Sequence, residues 1–294
     1  MDLTPNDEQI AFQTATADWC RDNMPLEGAR TRFKALWPQL EAMGWTGMTA
    51  PGMDLDHATE ALVFAELGRF LAPIALLPSA VAARWSGSAA KVALALPAGG
   101  WVRLFDSEGA VHALGSFGAG VGLFAVGAAA SAPSLDPSTS VAHIALPATV
   151  ETIDDHRAAL HLQLLAAAYA VGCADAARDM AAGYAKMREQ FERPIGWFQA
   201  IKHMCADMAV RCAAARSQLY YAACALDAGT VDAVFHVAAA KRLADQAALD
   251  NGRANIQVHG GIGMTDEAYP HFCLKRAHLL QFIAPTDSAT LLAA

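Results

Sequence analysis

The chain has 294 residues, 54% of them hydrophobic and 17% charged, with a formal net charge of −8. That length supports one large domain or two to three small ones with a sizeable core, and the composition excludes intrinsic disorder. The acidic balance, with no Lys or Arg between Arg103 and Arg157, excludes a nucleic-acid binder that works by broad phosphate neutralisation.

The opening stretch, MDLTPNDEQIAF, is acidic and lacks the basic-then-apolar pattern of a secretory signal. Residues 1–88 read as a helical domain. Asp7 to Asp22 carries Ile10, Phe12 and Trp19, with acidic residues at its start, where the helix dipole favours them. Phe33, Leu36, Leu40 and Met43 recur at three- and four-residue spacing, and Gly44 follows as a stop. Ala58 to Phe70 forms the next helix, after the turn-rich PGMDLD. Pro73 and Pro78 predict that Leu71 to Trp85 is short or broken.

Residues 89–150 change character. VALALPA, WVRLF, AVHALG, VGLFAVG and VAHIALP are short apolar runs separated by Gly99-Gly100, Ser107-Glu108-Gly109 and residues 131–140. They predict five or six short strands. The uncharged stretch Gly109 to Leu135 is long enough to span a membrane, but its glycines, His112 and Pro133 suit strands and turns. Ala158 to Ala174 is also uncharged but shorter. The expectation is a soluble, cytoplasmic protein.

Residues 151–294 return to helix. From Trp197 to Ala228, Phe198, Ile201, Cys205, Met208, Cys212, Ala215, Leu219, Ala222 and Leu226 alternate by three and four, a seam that needs partner helices. Thr230 reads as the N-cap of the next helix, with Asp232 in its first turn; that helix runs through Val237 and Leu243 toward Val258. A shorter one, from Glu267 or Ala268 to about Phe282, completes a four-helix bundle. The fold class is mainly α with a small β domain.

Generic catalytic motifs are absent: no G-x-S-x-G, no H-E-x-x-H and no Walker lysine. Gly118, Gly120 and Gly122 do not make a dinucleotide fingerprint. Six cysteines without a C-x-x-C read as buried thiols. His156 and His161 can share a helix face but show no third ligand, so no metal site is expected. Two segments say more. In YAKMREQFERPIGWFQAIKHMCADM, residues 184–208, a helix ends near Arg188 to Phe191, and Pro194 suits the first turn of the next. Arg188, Gln190, Arg193 and Gln199 thus gather at a helix junction, where a guanidinium beside a helix N-terminus suits an anion such as phosphate, or where solvent alone meets helix-end charges. In NIQVHGGIGMTDEAYPHFCLKR, residues 255–276, a helix terminates at Gly260-Gly261, which permits a sharp turn and close approach to the main chain.

Together these segments resemble the acyl-CoA dehydrogenase family: R-x-x-F-x-x-P-I-x-x-x-Q, then A-D-M, then Q-x-H-G-G-x-G-x-T, with LEAMGWTGMTAP at 40–51 and AELGRFLAP at 65–73. The resemblance covers roughly residues 1–85 and 160–283. It implies a helical N-terminal domain (1–88), a reduced middle β domain (89–150) and a C-terminal four-helix bundle (151–294). It also implies FAD bound at a subunit interface and oxidation of acyl-CoA thioesters. By the resemblance, Arg188, Gln190, Phe191 and Gln199 match positions that reach the neighbouring subunit's FAD. Gln257, Gly260 and Gly261 match positions that hold its pyrophosphate and adenosine part.

The sequence departs from the family where the chemistry is done. The family's glutamate base stands in one of two places. In QFIAPTDSATLL, residues 281–292, Pro285 takes that position and Asp287 lies two residues on. In HRAALHLQLLAAAYAVG, residues 156–172, Leu162 falls at or beside it, flanked by His161 and Gln163. ALPAGGWVRL, residues 95–104, lacks the acidic and hydroxyl positions of the family's flavin-ring loop. This selective loss resembles the short, non-catalytic subunit of heteromeric acyl-CoA dehydrogenases of steroid side-chain degradation. It implies a longer partner subunit in an α2β2 heterotetramer, an FAD shared across the subunit interface, an acyl-CoA substrate and an electron-transfer flavoprotein as acceptor. For this family the chain is short, in the β region and at the C-terminal end. The alternatives are a self-sufficient homo-oligomeric dehydrogenase using Asp287 or His161 as base, and a structural or regulatory relative that only assembles with a partner.

Overall fold

The computed structural model describes residues 3–31, 33–118 and 120–292; the side chains of residues 33–35, Phe33 among them, lie outside the described residues. Helix α1 (Asp7–Asn23) starts at a capping box, in which the Asn6 side chain accepts from Gln9 N–H and the Gln9 side chain accepts from Asn6 N–H. Helices α2 (Phe33–Ala42), α3 (His57–Arg69) and α4 (Leu76–Ser86) follow. Pro78 falls in the first turn of α4, where its missing N–H has no helical acceptor to lose, so α4 is short but unbroken.

A seven-stranded sheet comes next: β1 (Val92–Ala98), β2 (Trp101–Phe105), β3 (His112–Phe117), β4 (Gly120–Ala125), β5 (Ala130–Ala132), β6 (Val141–Ala145) and β7 (Glu151–Ile153). Its order is β5-β6-β2-β1-β3-β4-β7, antiparallel except for the β1–β3 pair. The count exceeds the expected five or six because β5 and β7 are three-residue edge strands with no apolar run of their own. The last strand also carries the sheet beyond residue 150. Strand alternation splits the apolar side chains. Leu94, Phe105, Leu114 and Val141 join the main core, while Ala95, Val102, Leu104, Phe124 and Ala142 pack as a second cluster on the other face.

The bundle consists of α5 (Arg157–Met187), α6 (Gln199–Ala228), α7 (Ala233–His259) and α8 (Pro270–Leu280), followed by the short α9 (Ser288–Leu292). Among the described residues α5 is the one helix long and apolar enough to cross a membrane, and 83% of its apolar window is buried inside the protein. It meets α3 at two glycines. A Cβ on Gly172 would lie 2.0 Å from the Ala65 carbonyl oxygen, and one on Gly68 would lie 2.5 Å from that of Tyr169. Only glycine permits this approach. In α6 the expected seam is buried from Met208 to Leu226, but Phe198, Ile201 and Cys205 at its start are only half-buried. Thr230 does not cap α7: that helix begins at Ala233, and the Thr230 hydroxyl donates to the Ala225 carbonyl at the end of α6. All six cysteines are free thiols, four of them buried.

One buried arginine ties the three regions together. Arg276 of α8 donates to Asp136 (2.6 Å), to the Ala72 carbonyl (2.7 Å) and to the Ser138 hydroxyl (2.8 Å). Helical region, sheet and bundle therefore meet at one guanidinium.

Candidate functional site

The two sequence segments meet at one end of the bundle. Helix α5 stops at Met187, and a two-stranded hairpin follows, β8 (Glu189–Gln190) against β9 (Arg193–Pro194). Its two turn residues, Phe191 and Glu192, both have positive φ, 55° and 61°, the backbone of a type I′ turn without the usual Asn-Gly. Pro194 therefore does not open a helix. It lies in β9, and the next N–H, that of Ile195, closes the hairpin onto the Arg188 carbonyl (2.8 Å). A 3-10 turn, Ile195–Trp197, leads to α6, which begins at Gln199. At the same end α7 stops at His259. Gly260 takes φ 67° and ψ −146°, and a second 3-10 turn, Gly260–Met264, follows. The Tyr184 and His259 rings stack 4.1 Å apart and join the two segments. The His259 Nδ1–H donates to the Asn255 carbonyl (2.8 Å), and burial lowers the basicity of this ring.

Arg188, Gln190, Phe191, Gln199, Gln257, Gly260 and Gly261 are all exposed there, Phe191 at 84%. Among the described residues Arg188 has no ion-pair partner. A Cβ on Gly261 would meet no atom within 4 Å, and its φ is not positive. Packing within this chain thus gives no reason for a glycine there. An outside group approaching the main chain does, and a free guanidinium nearby in the same cluster of segments suits a diphosphate. On these grounds the end of the bundle fits the phosphate-bearing part of a dinucleotide.

A separate cleft of about 1090 Å³ lies between the sheet, α5, α7, α8 and the segment after α8. Gln163 and Asp287 line it; His161 does not. The Gln163 Nε2 donates to the Ala284 carbonyl (3.0 Å), so the two stretches in which the sequence places a base are neighbours in space. A neutral amide joins them. Asp287 is exposed, and its carboxylate accepts the Ala289 N–H (3.0 Å) at the start of α9. The Gly99-Gly100 stretch is a tight two-residue hairpin between β1 and β2, with no room for a longer loop.

His161 is fully buried on the opposite side of α5. Its ring meets Glu60 at 2.6 Å, the Trp85 indole at 3.1 Å and the His57 ring at a centroid distance of 4.6 Å. The Thr49 hydroxyl also donates to Glu60 (3.2 Å). Sequence reasoning missed this cluster, because Glu60 and His161 are 101 positions apart. His57, Glu60 and His161 lie close enough to share a metal ion, but the hydrogen bonding decides against one. An indole N–H only donates, so His161 Nδ1 must accept and Nε2 must carry the proton. That Nε2–H points at Glu60 and has no lone pair for a metal. Burial opposes ionisation of Glu60, yet the neighbouring His161 and His57 hold its carboxyl down to about 2. Burial pushes His57 toward its neutral form.

Comparison with known proteins places the fold. Residues 6–89 match the N-terminal domain, and residues 156–287 the C-terminal domain, of acyl-CoA dehydrogenases. The chain belongs to the acyl-CoA dehydrogenase family. Among curated relatives it is 41% identical to acyl-CoA dehydrogenase FadE34 of Mycobacterium tuberculosis over 133 residues, 45% of this chain and 19% of that one. It is 38% identical to acyl-CoA dehydrogenase IpdE2 of the same organism over 145 residues, 49% of this chain and 44% of that one. The chain thus spans less than half the length of these curated relatives. Among solved structures, the Tcur3481-Tcur3483 steroid acyl-CoA dehydrogenase superposes with a TM-score of 0.81 at 23% identity, covering 98% of this chain and 96% of that one. The ChsE4-ChsE5 complex of Mycobacterium tuberculosis gives 0.79 at 23% identity, covering 100% and 97%. Both support the three-part acyl-CoA dehydrogenase fold. The sheet, residues 90–155, lies outside both matched family domains.

Proposed function

We propose that this chain is one subunit of an FAD-dependent acyl-CoA dehydrogenase and completes a partner subunit's flavin site without supplying the catalytic base. FAD, when bound, supplies the acceptor for the hydride leaving the β-carbon of the thioester. This chain's part is to hold the cofactor. Arg188 pairs with the diphosphate, Gln190, Gln199 and Gln257 offer amides, and Gly260-Gly261 lets phosphate or adenosine approach the backbone. Phe191, held out by the positive-φ turn, covers an apolar part of the partner's site. The longer partner brings the flavin-ring contacts and the glutamate that removes the α-proton. The acceptor of the electrons is an electron-transfer flavoprotein, and the substrate class is a steroid side-chain CoA ester, following the resemblance to heteromeric enzymes. The assembly is an α2β2 heterotetramer.

The observation that carries this reading is selective retention. Seven residues that by the resemblance match family positions for a neighbour's FAD stand exposed at one end of the bundle. At the two family base positions stand Leu162, buried in the core, and Pro285, with the Gln163 amide bridging their segments. The test is to produce the chain alone and together with a longer relative that carries the glutamate, then measure bound flavin and thioester dehydrogenation. Flavin loading and turnover only in the pair support the proposal; full loading and turnover by the chain alone refute it. A second reading, a self-sufficient enzyme, draws on Asp287, whose carboxylate lines the cleft. It requires Asp287→Asn to abolish turnover of the isolated chain while flavin content stays constant.

A further inference from the structure

A cavity of about 320 Å³ lies where the N-terminal helical region meets the sheet. Its floor is apolar, built from Trp37 and Pro38 of α2 and from Pro73 in the turn before α4. Asp106 and Ser140, from turns of the sheet, line it together with Lys91, the residue just before β1. No residue of the larger cleft or of the end of the bundle takes part in it.

Lys91 is the nucleophilic group of this cavity. It is half-buried. Its Nζ lies 4.7 Å from the centroid of the Trp37 ring and donates to the Glu108 carbonyl (2.8 Å). These two contacts hold the amine at the apolar floor. Among the described residues no carboxylate forms an ion pair with it. The Asp106 carboxylate, in the same cavity, accepts the Ile74 and Ser140 N–H groups instead. Burial pushes the Lys91 amine toward its neutral form, against the charges of Asp106, Glu108 and Glu41. A lysine desolvated against apolar side chains and left without a paired carboxylate is an activated nucleophile. Lys202 gives the contrast within the same chain: it also lies over an indole, 5.6 Å from that of Trp197, but it is exposed and lines neither cavity.

We propose that Lys91 is a covalent acylation site that takes short acyl groups from acyl thioesters, with the acyl chain seated against Trp37, Pro38 and Pro73. The neutral amine attacks the thioester carbonyl carbon. The N–C bond forms, the C–S bond breaks, and the thiolate leaves with the proton that the nitrogen loses. The products are an Nε-acyl-lysine and a free thiol. The amide N–H that remains has the Glu108 carbonyl as its acceptor, and loss of the charge removes the penalty of burying it. The proposal goes beyond the flavin-holding role and does not rest on it.

The test incubates the full chain near neutral pH with S-butyryl-N-acetylcysteamine, an uncharged acyl thioester, and follows each lysine by peptide mass spectrometry. Lys91 is expected to be acylated roughly tenfold faster than Lys202, from its larger share of free amine and its seat for the acyl chain. As pH is raised, the Lys91 rate should level off at a lower pH than the Lys202 rate. Ser140→Leu narrows the cavity without touching the amine, and should bring Lys91 down toward the Lys202 rate while thermal unfolding reports an intact fold. The rate ratio and the pH profile are read on the unaltered chain, so they decide the matter even where Ser140→Leu fails to fold. Lys91 reacting no faster than Lys202, a Lys91 rate that climbs with pH in step with Lys202, or a folded Ser140→Leu chain that keeps the full Lys91 rate overturns the proposal. None of these outcomes touches flavin loading in the partnered enzyme, so the two readings fail separately.

Discussion

Replacing Arg276 by methionine tests how the three regions are held together. The substitution keeps much of the side-chain volume and removes the charge. Asp136 is only 3% exposed and loses its cation; the Ala72 carbonyl and the Ser138 hydroxyl lose a donor. Removing one partner of a buried ion pair costs about 3–5 kcal/mol, because the remaining charge stays buried and uncompensated. Asp106, nearby and also buried, is less affected, because its carboxylate accepts the Ile74 and Ser140 N–H groups. Set against a typical total stability of about 5–15 kcal/mol, Arg276→Met should lower the urea midpoint sharply, read by circular dichroism. Adding Asp136→Asn removes the orphaned charge and keeps an amide oxygen for Ser138, so the double variant should regain roughly 1–3 kcal/mol. A single variant that loses less than about 1 kcal/mol, or a double variant with strictly additive losses, refutes the account of this junction.

The Glu60 carboxyl, held down to about 2 in the fold, contributes stability that is complete above its unfolded value near 4.5 and is lost as pH falls toward 2, at most on the order of 3 kcal/mol. Glu60→Gln should therefore flatten the acid limb of the stability–pH curve; an unchanged limb contradicts the assignment. His57, shifted toward its neutral form, makes stability begin to fall already below about pH 6.5, and His57→Phe should remove that earlier slope. Zinc added to the folded chain should neither raise the thermal midpoint nor bind at His161, because Trp85 fixes the proton on Nε2; a zinc-dependent rise that Trp85→Phe does not alter refutes this. Gly172→Ala forces a Cβ onto the Ala65 carbonyl oxygen and should cost more than a typical core overpacking of about 1–3 kcal/mol, measured by thermal unfolding; a neutral effect shows that α3 and α5 separate freely.

The long helices were legible because their apolar residues recur every three or four positions and their ends carry plain signals, Gly44 and Gly260 among them. The edge strands β5 and β7 were not, since Ala130–Ala132 and Glu151–Ile153 hold no alternating apolar pattern and exist only by pairing with β6 and β4. Pro194 misled because proline suits a helix's first turn and a hairpin edge equally, and what decides is the turn at Phe191-Glu192 two residues earlier. Thr230 misled in the same way, since one hydroxyl can serve the helix before it or the one after. The residues at the end of the bundle were visible as motifs, and their exposure follows from two helix termini lying side by side. The His57–Glu60–His161 cluster was invisible, because it joins residues far apart in the chain through packing that no local window contains.

The most direct test of the central claim is the flavin content of the partnered enzyme with and without Arg188→Ala in this chain. Arg188 is exposed and makes no ion pair among the described residues, so the substitution should leave folding and assembly intact. The account predicts that the variant complex assembles fully and loses bound FAD, with affinity weaker by roughly 10- to 100-fold, as for a lost charge-assisted contact to phosphate. An assembled variant complex with unchanged flavin affinity and full turnover would contradict it.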